Sequence, residues 1–287
     1  MKKLALILLF LPFIYGCEKT PAPADSIVVE GWIEEGRHPK VFLHKAVSIN
    51  ENESPMEETL RRSIVYSARV IVSDGTDSIQ LIAKIDTTQL PPYYYHNIRI
   101  TGEAGKTYTL RVEYKGQTLT SSTTIQAAVP IDSITVIGTK EQPTHKEVII
   151  RFKDNAATSD YYALFYRIGQ QHQYVLTSLG VRDDSGQQGE TILWRVNRSM
   201  TILDNTKDFF FKGGDTLSIR LSHIDEEAYR YWSSFASTSA TNTWIFMPKA
   251  QISTNIHGGL GYWCGYGSDE KQLIIPDRDT TFIYTRN

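Results

Sequence analysis

Three stretches of the sequence carry side chains able to do chemistry. His223-Ile224-Asp225, followed by Glu226-Glu227, sets an imidazole and a carboxylate two positions apart. In a strand they share a face, where they could form an acid–base pair or a metal site. The same acids suit a helix start, with Asp225 as N-cap and the two glutamates in the first turn, and capping explains them without a ligand. Asn255 to Gly267 holds five glycines and three aromatics, Tyr262, Trp263 and Tyr266. It reads either as a ligand-contacting loop that stacks on a sugar or apolar group, or as a tightly bent β segment using glycine for positive φ and close backbone approach. Tyr93-Tyr94-Tyr95-His96, after Pro91-Pro92, reads either as an exposed aromatic patch or as a strand with Tyr93 and Tyr95 on one face and Tyr94 on the other. These six aromatics are the candidate ligand or partner contacts. Cys264 has His257 nearby in sequence, but no papain-type or caspase-type motif surrounds it, and it reads as a buried small hydrophobe.

Other chemistry is excluded by pattern. There is no HExxH spacing, no GxSxG elbow and no Walker loop, and no strand–turn–helix frame surrounds the glycine-rich segment. Asp183-Asp184 and Glu57-Glu58 lie in polar turns and read as solvated acids. No catalytic residue, metal ligand or cofactor is expected. The 287 residues are 41% hydrophobic, enough for substantial cores, and the formal net charge of −2 leaves no electrostatic footprint for nucleic acid. With only Cys17 and Cys264 present, a disulfide framework and a multi-thiolate metal site are excluded.

The first residues, MKKLALILLFLPFIYGC, have the layout of a secretory leader. Lys2 and Lys3 form a positive start, and Leu4–Ile14 is an apolar run too short to span a bilayer. Ile14-Tyr15-Gly16-Cys17 resembles a bacterial lipobox, with Tyr15 departing from its small or aliphatic residue. Residues 1–16 are therefore expected to be removed as a signal peptide. Cys17 is expected to carry lipid, since two or three acyl chains give stable anchoring where one does not. Residues 17–25 form a polar Pro/Ala-rich tether.

The elements behind the candidate residues are mostly strands. Apolar residues occupy alternate positions in Lys106–Tyr114, the alternation of a sheet with one buried and one wet face. Asp74-Gly75 between Ala68–Ser73 and Ser78–Ile82 marks a hairpin, and residues 48–62 read as a polar loop with one helical turn. About seven short strands over residues 26–128 predict an immunoglobulin/fibronectin-like β-sandwich. Residues 129–287 predict a second β-rich domain with strands near 131–136, 147–152, 161–168, 173–179, 191–196 and 215–222. One short helix near 225–237 carries Tyr229, Tyr231, Trp232 and Phe235 on a broad face. The fold class is thus mainly β.

In order and spacing, several of these segments resemble one family. Val28-Val29-Glu30-Gly31-Trp32-Ile33 is followed by Gly105-Lys106-Thr107-Tyr108-Thr109-Leu110-Arg111-Val112 and by Ile131-Asp132-Ser133-Ile134. Gly214-Asp215, His223-Ile224-Asp225, Tyr229-Arg230-Tyr231-Trp232 and Asn255–Gly261 come later. The chain is similar across nearly its whole mature length to the outer-membrane lipoproteins of the Bacteroidota known as domain of unknown function 4249. The resemblance implies no activity. Members accompany TonB-dependent receptors, which implies a role in uptake. The expectation is a non-enzymatic binding or accessory lipoprotein, held at the outer membrane by its lipid beside such a receptor. The alternatives are a structural or adhesive envelope module and a hydrolase using His223 and Asp225.

Overall fold

A computed structural model describes residues 26–46, 56–88, 91–140, 142, 144–171, 173–198, 210–241 and 252–284. The leader, Cys17 and the tether lie outside the described residues. Chain order runs β1 (Ile27–Glu34), β2 (Lys40–Lys45), α1 (Met56–Ser63), β3 (Arg69–Ser73), β4 (Ser78–Ile85), β5 (Tyr93–His96), β6 (Thr107–Tyr114) and β7 (Gln117–Thr124). It continues with β8 (Ile131–Gly138), β9 (His145–Lys153), β10 (Tyr161–Ile168), β11 (Val175–Asp183), β12 (Thr191–Val196), β13 (Phe211–Lys212) and β14 (Thr216–Ile224). The last elements are α2 (Glu226–Thr241), β15 (Leu260–Ile274) and β16 (Thr280–Ile283).

The mainly β class holds, strands cover the segments read as extended, and β6 shows the expected alternation. In β6, Tyr108, Leu110 and Val112 are buried while Thr107, Thr109 and Arg111 are exposed. The helix expected near 225–237 is α2. A second helix, α1, replaces the single turn expected in the acidic stretch. Its Glu58 and Arg62, four positions apart, form an ion pair on the exposed surface.

Eleven strands form one sheet in the order β11-β10-β14-β15-β1-β2-β5-β4-β3-β6-β7. A twisted sheet this wide must curl or fold to cover its faces. Here the β1–β7 part folds back on itself. Thr120 of β7 bridges His257, and Thr123 Oγ1 accepts the Gly265 N–H at 2.7 Å. The enclosed core includes Val29, Ile33, Val41, Leu110, Val112 and Trp263, whose indole N–H donates to Tyr108 O at 2.9 Å. At the other end, a smaller sheet in the order β12-β9-β8-β16, with β13 beside β9, faces β10 and β14. Ile150, Phe152 and Ile192 from the small sheet meet Leu164, Ile219 and Leu221 in a second core.

One strand joins the two ends. The first half of β15 pairs parallel with β1, from Val28 opposite Leu260 to Glu34 opposite Tyr266. Its second half pairs antiparallel with β14, from His223 opposite Gly267 to Thr216 opposite Ile274. Glycine makes the close approach possible. Gly261 has a φ of +98°, and a Cβ there would lie 1.9 Å from Val29 O. The bent-β reading of the glycine-rich segment is the one the structure realises.

Gly261→Ala should therefore be strongly destabilising. The left-handed backbone alone costs about 1–2 kcal/mol, and the collision with Val29 O adds to it. A urea unfolding midpoint equal to that of the unaltered protein would contradict this account of the joint.

Candidate functional site

Along the joint, strand alternation places two sets of side chains on opposite faces. The first set, with Trp263, Ile33 and Val41, points into the β1–β7 core. The second points to the outer face, where a cavity of about 610 Å³ lies between α2 and the loops before β2 and β5. Six neighbouring strands contribute to it. β1 supplies Glu30, Trp32 and Glu34, β2 supplies Lys40 and Phe42, and β5 supplies Tyr94 and His96. β15 adds Tyr262, Tyr266 and Glu270, β14 adds Arg220, and β10 adds Phe165 and Arg167. In each strand these residues are two or four apart, the period that keeps side chains on one face.

The lining divides by chemistry. One part is aromatic. The Trp32 and Phe42 rings lie 5.8 Å apart, as do those of Phe42 and Tyr94. From α2, Trp232 packs 5.2 Å from Tyr262 and donates its indole N–H to Tyr266 OH at 2.9 Å. Such centroid spacings fall in the attractive range for aromatic pairs. Burial raises the phenols of Tyr262 and Tyr266 well above their ordinary value, so they act as neutral groups.

The other part is ionic. Arg220 donates to Glu34 at 2.9 Å and to Glu270 at 2.7 Å, while Arg37 reaches Glu270 at 2.9 Å and Glu34 at 3.5 Å. The Arg220 guanidinium also lies 3.8 Å from the centre of the Tyr174 ring. Arg220 belongs to β14, Glu34 to β1 and Glu270 to β15, so the network ties together the three strands of the joint. Burial pushes the Glu270 carboxyl up, but Arg220 and Arg37 outweigh it and hold the group below the usual carboxylate value.

Of the six aromatics proposed from sequence, Tyr94, Tyr262 and Tyr266 line this cavity. Tyr93, Tyr95 and Trp263 do not. Tyr95 OH donates to Val65 O and accepts from Ala68 N in the core, Trp263 is fully buried, and Tyr93 packs against Tyr66. The tyrosine run is a strand whose odd and even members face opposite ways. Sequence reading missed Trp32, Phe42, Arg220, Glu34 and Glu270. Their two-residue spacing with apolar neighbours marks a second face, but which strands stand side by side is set by long-range pairing.

His223 and Asp225 do not form a pair. Asp225 Oδ1 accepts the Ala228 N–H at 2.9 Å as the α2 N-cap, and its Oδ2 accepts from Thr123 Oγ1 at 2.6 Å and Thr124 N at 3.0 Å. His223 Nδ1 faces Ala127 O at 2.8 Å, and its Nε2 lies 3.2 Å from Asp160 Oδ1. The capping reading is realised, extended by a clasp to β7. Cys264 is fully buried, and burial, followed by the nearby Asp225 carboxylate, raises its thiol well above the ordinary value.

Asp184, expected in a solvated turn, is buried. Its carboxylate and those of Asp154 and Asp160 offer oxygens all within 4.8 Å of one another. These three are the residues that could hold a hard cation, which prefers oxygen ligands. Protein donors already meet them: Tyr162 OH and Gly189 N for Asp154, Thr158 Oγ1 for Asp160, and Asp160 N for Asp184. The grouping escapes a sequence reading because its members sit in two separate loops.

Two outcomes follow. Iodoacetamide should leave Cys264 unmodified in the native protein and alkylate it on denaturation, whereas rapid native labelling would revive the nucleophile. Because the folded Glu270 carboxyl titrates below its unfolded value of 4.5, its contribution to stability is present above that pH and is lost as pH falls through the folded value. The stability gap between the unaltered protein and Glu270→Gln should thus narrow in acid. Equal gaps in neutral and acidic urea titrations would refute the ion-pair assignment.

Among curated proteins, none matches the sequence. The model of one family, described as a domain of unknown function (DUF4249), matches residues 15–272. That span takes in the outer-face cavity, the first core and all but the last two residues of β15, and on it the chain belongs to the DUF4249 family.

Proposed function

We propose that the protein is a non-enzymatic binding lipoprotein of the outer membrane, tethered through lipid on Cys17 and offering its outer-face cavity to a small ligand beside a TonB-dependent uptake receptor. The observation that carries the binding role is the cavity itself. At about 610 Å³ it falls within the usual size range of small-molecule sites, and it combines aromatic walls with convergent polar groups. Chemistry at the sites first suspected is disfavoured, because Cys264 is sealed and the His223 and Asp225 side chains engage other partners. Among the described residues no helix is long and apolar enough to cross a membrane. That leaves the lipobox-like Ile14-Tyr15-Gly16-Cys17 as the feature supporting attachment.

The tether and the partner are tested separately. Cys17→Ser should move the protein from the membrane fraction to the soluble fraction, and membrane retention would remove the lipid anchor from the account. Purification from native membranes should recover a receptor in stoichiometric amount and a small molecule that Trp232→Ala fails to retain. Recovery of the protein alone would sink the accessory role. Equal retention of the small molecule by Trp232→Ala would sink the cavity as its site.

A further inference from the structure

The charged groups of the cavity are not all matched. Arg37, Lys40, Arg167 and Arg220 line it, with Glu30, Glu34 and Glu270. Arg37 and Arg220 are paired with Glu34 and Glu270. Glu30 faces His44 at 3.7 Å, and the Lys40 ammonium lies over the Tyr94 ring at 4.4 Å. Arg167 differs. Among the described residues no carboxylate lies within ion-pair distance of it. Its terminal nitrogen reaches only Ser218 Oγ, at 3.5 Å, and its guanidinium stands 4.9 Å from the Tyr174 ring centre. Its Nε is buried without a partner. A half-buried guanidinium lacking a carboxylate bears a desolvation penalty that the protein itself does not offset.

Position adds to this. Arg167 follows Phe165 on the same face of β10, and Phe165 packs edge-on against Trp232 and Tyr266, with ring centres 5.3 and 5.9 Å apart. The unmatched cation thus borders the aromatic wall. A guanidinium presents parallel N–H donors that match a carboxylate in bidentate fashion.

Building on the binding role proposed above, we infer that the cavity selects an organic anion with a flat apolar body, its acid group paired with Arg167 and its ring system against the aromatic wall. A neutral polyol would leave Arg167 unmatched, and an organic cation would add a like charge beside it.

The test uses matched acid and amide pairs that differ in charge and little in shape: benzoate and benzamide, indole-3-acetate and indole-3-acetamide, 2-naphthoate and 2-naphthamide. Each is titrated calorimetrically into the full-length protein with buffer and detergent blanks. The acid of at least one pair should bind about tenfold or more tightly than its amide, the scale of one charge-assisted hydrogen-bonded contact. Arg167→Gln should erase that preference, bringing acid binding down towards that of the amide, and a urea unfolding midpoint close to that of the unaltered protein reports that the variant is folded. Arg167→Lys should restore part of the preference. Trp232→Ala should weaken acid and amide together. Amides binding as tightly as acids, or a preference that survives Arg167→Gln, would overturn the anion assignment and leave the cavity standing as a binding site. Absence of saturable binding by every compound would overturn both.

Discussion

The fold depends on a single strand changing partners midway. β15 runs parallel to β1 for its first half and antiparallel to β14 for its second, so one backbone ladder makes an eleven-stranded sheet from two curled ends. Each end has its own core, but neither completes its sheet without that strand. Trp263 plugs the first core from β15, and Leu273 plugs the second from the same strand. Gly261 follows from this demand, because the backbone must pass Val29 at a distance that excludes a side chain, and Gly267 likewise passes close to Gln126 O.

The cavity is a by-product of the same geometry. Where the sheet passes from one curled end to the other, its outer face is covered on one side by α2, and strands with no local connection stand edge to edge. Buried ion pairs are costly unless several partners satisfy them. Arg220 has Glu34, Glu270 and the Tyr174 ring. The network therefore fixes the relative position of β1, β14 and β15 as much as it shapes a polar wall. Asp225 acts similarly on the other side, where one carboxylate caps α2 and holds β7 against the joint.

Local features of the fold were legible. Alternation in β6, the Asp74-Gly75 turn and the acid-led start of α2 all read correctly, because each depends on neighbours within a few residues. The site was legible only in part. Tyr94, Tyr262 and Tyr266 were among the proposed contacts, but Tyr95 and Trp263 came with them, since composition cannot tell which face of a strand looks inward. Glu34 and Arg220 are singled out by no motif or spacing in the sequence. They are buried because each meets the other across most of the chain, a fact that no local pattern encodes. Asp184 was misread for the same reason: its loop is polar, but Asp154 and Asp160 close over it from another loop.

The parallel pairing of β1 with β15 also bears on how the protein reaches its native state. Val28 finds its partner only when Leu260 is available, a contact of very high sequence separation. Such contacts slow folding, because loop closure entropy must be met before they reward it. During synthesis the first strands emerge long before their last neighbour, and β1 meanwhile presents a bare hydrogen-bonding edge prone to mispairing. A chain cut short before Leu260 would not be a smaller folded unit but a half-closed sheet with a sticky rim, the form most in need of a chaperone.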